Sequence, residues 1–450
     1  MNSIKKFKVN LENLSSRERA IFKKLIRAAE LIAGLYLKQK NKKYPGANFY
    51  PPNVSIEEIK KAARNNPSIL NPYTFVERTK SGELKAIPYH IKFKKELKPI
   101  SKFLEGAADL SEDKNFSLYL RSRAQSLLDG NYEKSEIIWL KTEPFKFGFV
   151  IGPIERYLDK LFFTKCAYQS WVGILDEEET EKAKEIKDII LTGRSKILDK
   201  SEKVDVSKVG IRVDKTAVFS GLIADCMFTG TNLPNDVRVM KKYGSKLTIF
   251  ETSLKEKFDQ DHLPIFQAVF DKKLQKRYSQ KELYEGSLRC IISHELAHSL
   301  IRYRDAEKRL ENLFPIFDEL YAYILGIQRC GLAFLKGVFS QKELEAILIM
   351  HICRNFTWWL DLFKNADVYH YAAGAAIASN FFLQEGAIKI RGGISWPNFT
   401  KLFICIEELC KILDYYLAIG KYEEAEIFIK NYGSFDIFKY FSPQLKKFIK

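Results

Sequence analysis

Nowhere does the chain hold the ~18 consecutive apolar residues of a membrane-crossing helix, so neither a span nor a membrane partner is expected. The opening stretch MNSIKKFKVNLENLSSRERA has basic residues but no apolar run behind them, so no signal peptide is expected. Cysteine is sparse: seven in 450 residues, scattered, with no Cys-x-x-Cys pair. That pattern suits free thiols in a reducing cytoplasm, not a disulfide framework. Acid is in deficit, which leaves a formal net charge of +17. A basic excess suggests nucleic acid, yet lysines alternate with glutamates in stretches such as EEETEKAKEIKD. No basic stripe with interleaved aromatics occurs. The charge reads as a solvated surface, and nucleic acid is not an expected partner. Repeats, low-complexity tracts and long linkers are also lacking.

What is present is a globular composition, 46% hydrophobic and 13% aromatic, in a chain long enough for more than one core. Helical periodicity runs through SSRERAIFKKLIRAAELIAGLYLKQ and breaks at KNKKYPGANFYPP. Ser55 and Glu58 make a capping box for the helix IEEIKKAARNN. YTFVERTKSGELKAIPY reads as a hairpin turning at Ser81-Gly82, with two helical stretches following through Leu128. The middle differs. FKFGFVIGPIERY, AYQSWVGIL, IRVDKTAVFSGL, ADCMFTGTNLP and SKLTIFET are short and β-branched or aromatic, which predicts a small sheet or barrel over about 145–251. One charged helix, Glu177 to Lys200, interrupts it, and almost everything from Leu254 onward is helical. The fold class is α+β and mostly α, not a doubly wound sheet.

Histidine is scarce as well, with six in the chain, and two of them fall in ISHELAHSL. A chance His-Glu-x-x-His is expected on the order of once in a hundred such chains. On a helix, His294 and His298 project from one face toward a common point. Zinc wants two such imidazoles, one further ligand and an open position. Glu295 is rotated about 100° away, placed to handle a proton without ligating the ion. Ile291, Ile292, Leu296, Ala297, Leu300 and Ile301 are expected to bury this helix. The metzincin continuation is absent, because Ile301 and Arg304 stand where glycine and histidine are required. The acids available downstream as third ligand are Asp305, Glu307, Glu311, Asp318 and Glu319. The first two lie in a charged, solvated stretch. Asp318 and Glu319 sit in the apolar LFPIFDELYAYILGI, where an acid needs a reason to be buried, and Glu319 is preferred. Cys290, four residues before His294, reads as a small buried residue. His90, His262 and His351 have no partner pattern and read as structural or surface residues.

HELAH followed by FDELYAYILG resembles the paired zinc motifs of the dipeptidyl peptidase III family, including its shorter homologues that in some proteins accompany a Nudix domain. NFYPPNVSIEEI, NPYTFVERTKSGELKAIPY, VIGPIERYLDKLF, GTNLPNDVRV and YHYAAGAAIASNFFLQEGAI are also similar to segments of that family, in its order. The resemblance covers roughly residues 45–435. No Nudix box occurs.

The resemblance implies a zinc ion held by His294, His298 and Glu319, with Glu295 as general base. It implies that Glu155 holds the free amino terminus of an oligopeptide and that Tyr157 hydrogen-bonds the developing oxyanion. Gly230, Asn232, Pro234 and Asn235 would belong to an edge strand that pairs with extended peptide. His370 would steady the tetrahedral intermediate. The implied fold has two lobes around a cleft, a helical zinc-bearing lobe and a lobe with a small β core, closing like a hinge. The β-containing lobe is expected over 1–175 and 217–260, the zinc lobe over 176–216 and 261–450. The implied activity is removal of dipeptides from peptide amino termini in the cytoplasm.

Plainer roles stay open for several of these residues. Glu155 and Tyr157, two apart on an expected strand, would share one face whether or not they bind anything. Asn232 and Asn235 could shape the turn around Pro234, and His370 could simply open a helix. The sequence also departs from the family pattern. The histidine spacing is one residue shorter, Ser299 replaces a common glycine, Tyr323 stands where a carboxylate usually follows the ligand Glu, and Gly374 stands where longer enzymes have arginine. These departures motivate an alternative, a catalytically weak or inactive peptide-binding protein that keeps its zinc site.

Overall fold

The computed structural model describes residues 3–142, 144–192, 206–300, 303, 305–363, 368–445 and 448. It is mostly helical with a small β core and divides into two compact units, Met1–Glu177 with Arg212–Ser253 and Glu178–Ile211 with Leu254–Lys450. Among the described residues, no helix is long and apolar enough to cross a membrane.

The first unit is built on a six-stranded sheet. After β1 (Ile4–Lys6), helix α1 (Ser16–Gln39) starts at a complete capping box between Ser15 and Glu18. Its apolar face supplies Phe22, Leu25, Ile32 and Tyr36 to the core. Helix α2 (Ile56–Asn65) keeps only half of its expected box. Ser55 accepts from the Glu58 amide, but the Glu58 carboxylate turns away to Arg78, 2.8 Å from Nη2. The expected hairpin forms from β2 (Thr74–Arg78) and β3 (Leu84–Pro88), and Gly82 takes a φ of +86° in its turn. Helices α3 (Lys94–Leu110) and α4 (Lys114–Asp129) follow.

The sheet proper comprises β4 (Phe147–Glu155), β5 (Ala167–Leu175), β6 (Val209–Gly221), β7 (Gly230–Leu233) and β8 (Ser245–Phe250), in the order β4-β5-β6-β8-β7, with β1 also on β6. β4 and β5 are buried along nearly their whole length, which is why neither alternates apolar with polar residues, and Gln169 and Ser170 of β5 are buried with the rest. One expected strand is corrected. Only the second half of ADCMFTGTNLP is extended, because Leu222–Cys226 forms a helical turn held by Asp225, which accepts from Tyr36 Oη at 2.8 Å and pairs with Lys40.

In the second unit, α5 (Glu177–Thr192) is the charged helix; its expected continuation to Lys200 lies outside the described residues. Helix α6 (Gln280–His298) begins at a Ser279–Glu282 capping box and is buried on almost every side by its neighbours. Those neighbours are α7 (Phe314–Leu335) and α8 (Gln341–Leu362). Helix α9 (Tyr369–Gln384), a hairpin of β9 (Ile388–Arg391) and β10 (Ile394–Pro397), and α10 (Phe399–Ala418) complete the elements used below. That hairpin is an exception to the helical periodicity of this half of the chain.

One glycine sets the distance between α6 and α7. A methyl group at Gly326 would lie 2.7 Å from the carbonyl carbon and oxygen of Ser293, the residue before His294. Backbone of α6 cannot give way cheaply there, so the helices pack at the spacing that only glycine permits. Gly326→Ala is therefore expected to cost about 1–3 kcal/mol of stability and to weaken metal retention as α7 is pushed outward. Denaturant unfolding and metal titration check this, and a variant normal in both would refute it.

Candidate metal centre

His294 and His298 end helix α6 on one face, with their Nε2 atoms 3.3 Å apart. Ile291, Ile292, Leu296 and Ala297 around them are fully buried, and Leu300 is half-buried; Ile301 lies outside the described residues. From the second turn of α7, Glu319 brings Oε2 to 3.6 Å from His294 Nε2 and 3.5 Å from His298 Nε2. Among the described residues these three form the one group able to hold a metal ion. The fit is geometric as well as chemical. Ligands about 2.0–2.1 Å from a tetrahedral zinc stand about 3.4 Å from each other. Glu319 Oε2 is buried with no hydrogen-bond partner, an arrangement that a cation would resolve. The cluster can coordinate a metal.

The electrostatics point the same way. Burial pushes His294 well below the usual histidine range, helped by repulsion from His298 and Arg354, so it is a neutral imidazole ready to donate a lone pair. Burial also disfavours charge on His298, but Glu319, Asp318 and Glu295 outweigh it and hold that ring up at about 10. Glu319 is kept below its ordinary value despite burial, chiefly by His298. Glu295 is half-buried on the same helix, and burial raises its carboxyl, with His298 lowering it in part.

Several side chains surround the cluster, and of these Tyr371 and Arg354 escape sequence reasoning. Asp318 Oδ2 lies 3.8 Å from His298 Nδ1, so the acid passed over as a ligand sits behind one. Tyr371 donates to Glu319 Oε1 at 3.1 Å from the first turn of α9. Next to it is half-buried His370, with ring centroids 4.1 Å apart. Tyr323 lies flat on His294 at 3.7 Å, and the Arg354 guanidinium is stacked 5.0 Å from the tyrosine ring. His351 is buried in the same layer, 5.9 Å from Tyr323, and is not a surface residue. His262 is buried too and bonds Ser287 at 3.2 Å. Cys290 is buried, its thiol pushed up to about 11 by burial, and stands outside the metal-binding group.

The remaining sequence-selected residues lie in the first unit. Glu155 ends β4 and is 7% exposed. Tyr157 is 53% exposed in the turn beyond the strand, edge-on to Phe228 at 5.9 Å. The expectation that both share a strand face is thus corrected. A bulge between Pro153 and Glu155 shifts the register and the strand stops before Tyr157. Asn235 is brought to Glu155, donating to its Oε2 at 2.9 Å and to the Ile154 carbonyl at 3.2 Å. Gly230 and Asn232 lie on β7 at the edge of the sheet, and Pro234 follows it, buried.

Comparison with solved structures decides the fold. Dipeptidyl peptidase III from Caldithrix abyssi superposes with a TM-score of 0.88 at 22% identity, covering 98% of this chain and 95% of that one. Dipeptidyl-peptidase III from Corallococcus sp. strain EGB gives 0.82 at 21% identity, covering 98% and 92%. The chain has the dipeptidyl peptidase III fold. Nudix hydrolase 3 of Arabidopsis thaliana is 24% identical over 406 residues, 82% of this chain and 51% of that protein, so the chain spans about half the length of this relative. No protein-family model matches.

Within that fold, the Gly374 departure has a packing cause. A methyl group there would meet Leu320 Cβ at 3.2 Å, so α9 lies close on α7 just beyond Glu319 and no long side chain fits between them.

Proposed function

We propose that this protein is a zinc-dependent exopeptidase that hydrolyses oligopeptides near their free amino termini and releases dipeptides. The observation that carries the reading is the trio of donor atoms 3.3–3.6 Å apart with a raised carboxyl, Glu295, one residue from the first ligand. A zinc ion on His294, His298 and Glu319 supplies Lewis acidity that polarises a carbonyl and acidifies water. Glu295 accepts the proton of the attacking water and returns it to the leaving amine. Tyr157 donates to the oxyanion, and His370 steadies the same charge. Edge strand β7, with Gly230 and Asn232, binds peptide backbone as an added strand, and Pro234 fixes the chain's exit from it. Glu155, oriented by Asn235, pairs with the free ammonium and so measures product length.

A second reading, peptide binding with little turnover, is favoured by one observation. Tyr323 stacks on His294 where a carboxylate would be expected, and His294 Nδ1 is buried with no hydrogen-bond partner among the described residues. Incubation with matched free and N-acetylated peptides separates the two. Cleavage is expected only of the free forms and to yield dipeptides. Tight binding of free peptides with no cleavage by metal-loaded protein would favour the second reading.

A further inference from the structure

Resting on the exopeptidase reading, we propose that the first unit carries an acid-recognising pocket beside Asn235 that admits the carboxylate side chain of a substrate's first residue. A cavity of about 170 Å³ opens there, lined by Arg123, Glu136, Arg156, Asn235, Asp236 and Arg238 among others. It is roomy enough for one short side chain. Asn235 joins it to the amino-terminal site, because the amide that lines the cavity also bonds Glu155.

The charges do not balance. Asp236 and Arg238 satisfy each other at 2.9 Å. Glu136 faces Arg123, which offsets part of the upward push of burial on its carboxyl. Arg156 has no carboxylate within ion-pair reach among the described residues, and its buried Nε has no hydrogen-bond partner. Arg123 is only 4% exposed, and its Nε is also without a partner. Its guanidinium sits 5.4 Å from the Tyr132 ring and 5.8 Å from Tyr119, rings that desolvate it without neutralising it. A buried guanidinium with an unmade donor is costly unless an acceptor arrives, and a planar carboxylate matches its fork. A neutral glutamine side chain can fill the same space but brings no charge, so the pocket separates Glu from Gln by charge and not by size.

The test uses the full chain carrying Glu295→Gln, so that binding is read without cleavage. Two free pentapeptides, identical except for Glu or Gln at the first position, are titrated by calorimetry. The Glu peptide is expected to bind at least about tenfold more tightly, with the difference shrinking as salt is raised. Arg156→Gln should abolish the preference while the Gln peptide still binds, and Arg156→Lys should keep part of it. Arg156 is half-buried and is the primary variant, with the deeper Arg123→Met as second. Equal affinities for the two peptides overturn the proposal while leaving the exopeptidase reading intact. Failure of both to bind, free or acetylated, overturns that reading itself. Arg156-dependent binding of free glutarate with no Glu-over-Gln preference would make this a small-anion site and also overturn the proposal.

Discussion

Glu295→Gln is expected to lower kcat about a thousandfold or more, while the variant keeps its metal and its peptide affinity. The substitution conserves shape and removes only the ability to take and return a proton. General acid–base catalysis contributes about 10²–10⁴-fold, and here one carboxyl serves both the entering water and the departing amine. Its position suits that double role, since it lies one residue from His294, off the ligand face, and is half-buried. Burial and the nearby Glu319 raise its carboxyl while His298 lowers it, with a net upward shift. The sign for pH follows. A base with a raised pKa is protonated, and idle, over a wider acid range. In the metal-free protein its carboxyl should therefore titrate above the ordinary glutamate value of 4.5, which NMR of the side chain would read. Steady-state kinetics with metal analysis on the same preparation checks the loss of kcat. A variant retaining a tenth of wild-type kcat would remove Glu295 from the mechanism.

Local features of this chain were legible because they depend on neighbours in sequence. The spacing of His294 and His298 on a helical period places them on one face, and the structure ends helix α6 with both rings there. Glu319 could be preferred because an acid inside an apolar helix needs a reason. What stayed hidden depends on contacts between distant segments. Arg354 and His351 reach the back of Tyr323 from α8, and Tyr371 reaches Glu319 from α9, with no periodicity that could announce either. Glu58 matches the capping-box pattern, yet its carboxylate is claimed by Arg78 from the hairpin. Glu155 and Tyr157 obey strand spacing on paper, but β4 shifts register between Pro153 and Glu155 and ends at Glu155, before Tyr157. Local rules thus give way wherever a contact from a distant segment competes with them.

Glu319→Ala is expected to lower metal affinity at least about a thousandfold, because it removes one of three protein donors, the one carrying formal charge. By contrast, Tyr371→Phe, which removes only a bond to that carboxylate, should cost about 10–100-fold. The same site predicts a proton count. Without metal, His298 is charged at neutral pH, since the carboxylates of Glu319 and Asp318 outweigh its burial and hold it at about 10. Glu319, held low by that ring, is already ionised. A metal ion entering between them must expel the His298 proton. Apparent affinity should then climb about tenfold per pH unit between pH 6 and 8, with close to one proton released per ion. Competition against a chromophoric chelator at several pH values measures the slope, and calorimetry in buffers of different ionisation enthalpy counts the proton. In Glu319→Ala the main charge sustaining His298 is gone, so the affinity that remains should also lose much of its pH dependence. A site that binds zinc equally at pH 6 and 8, or a Glu319→Ala protein that keeps wild-type affinity, would mean that the ion is held by a different set of donors.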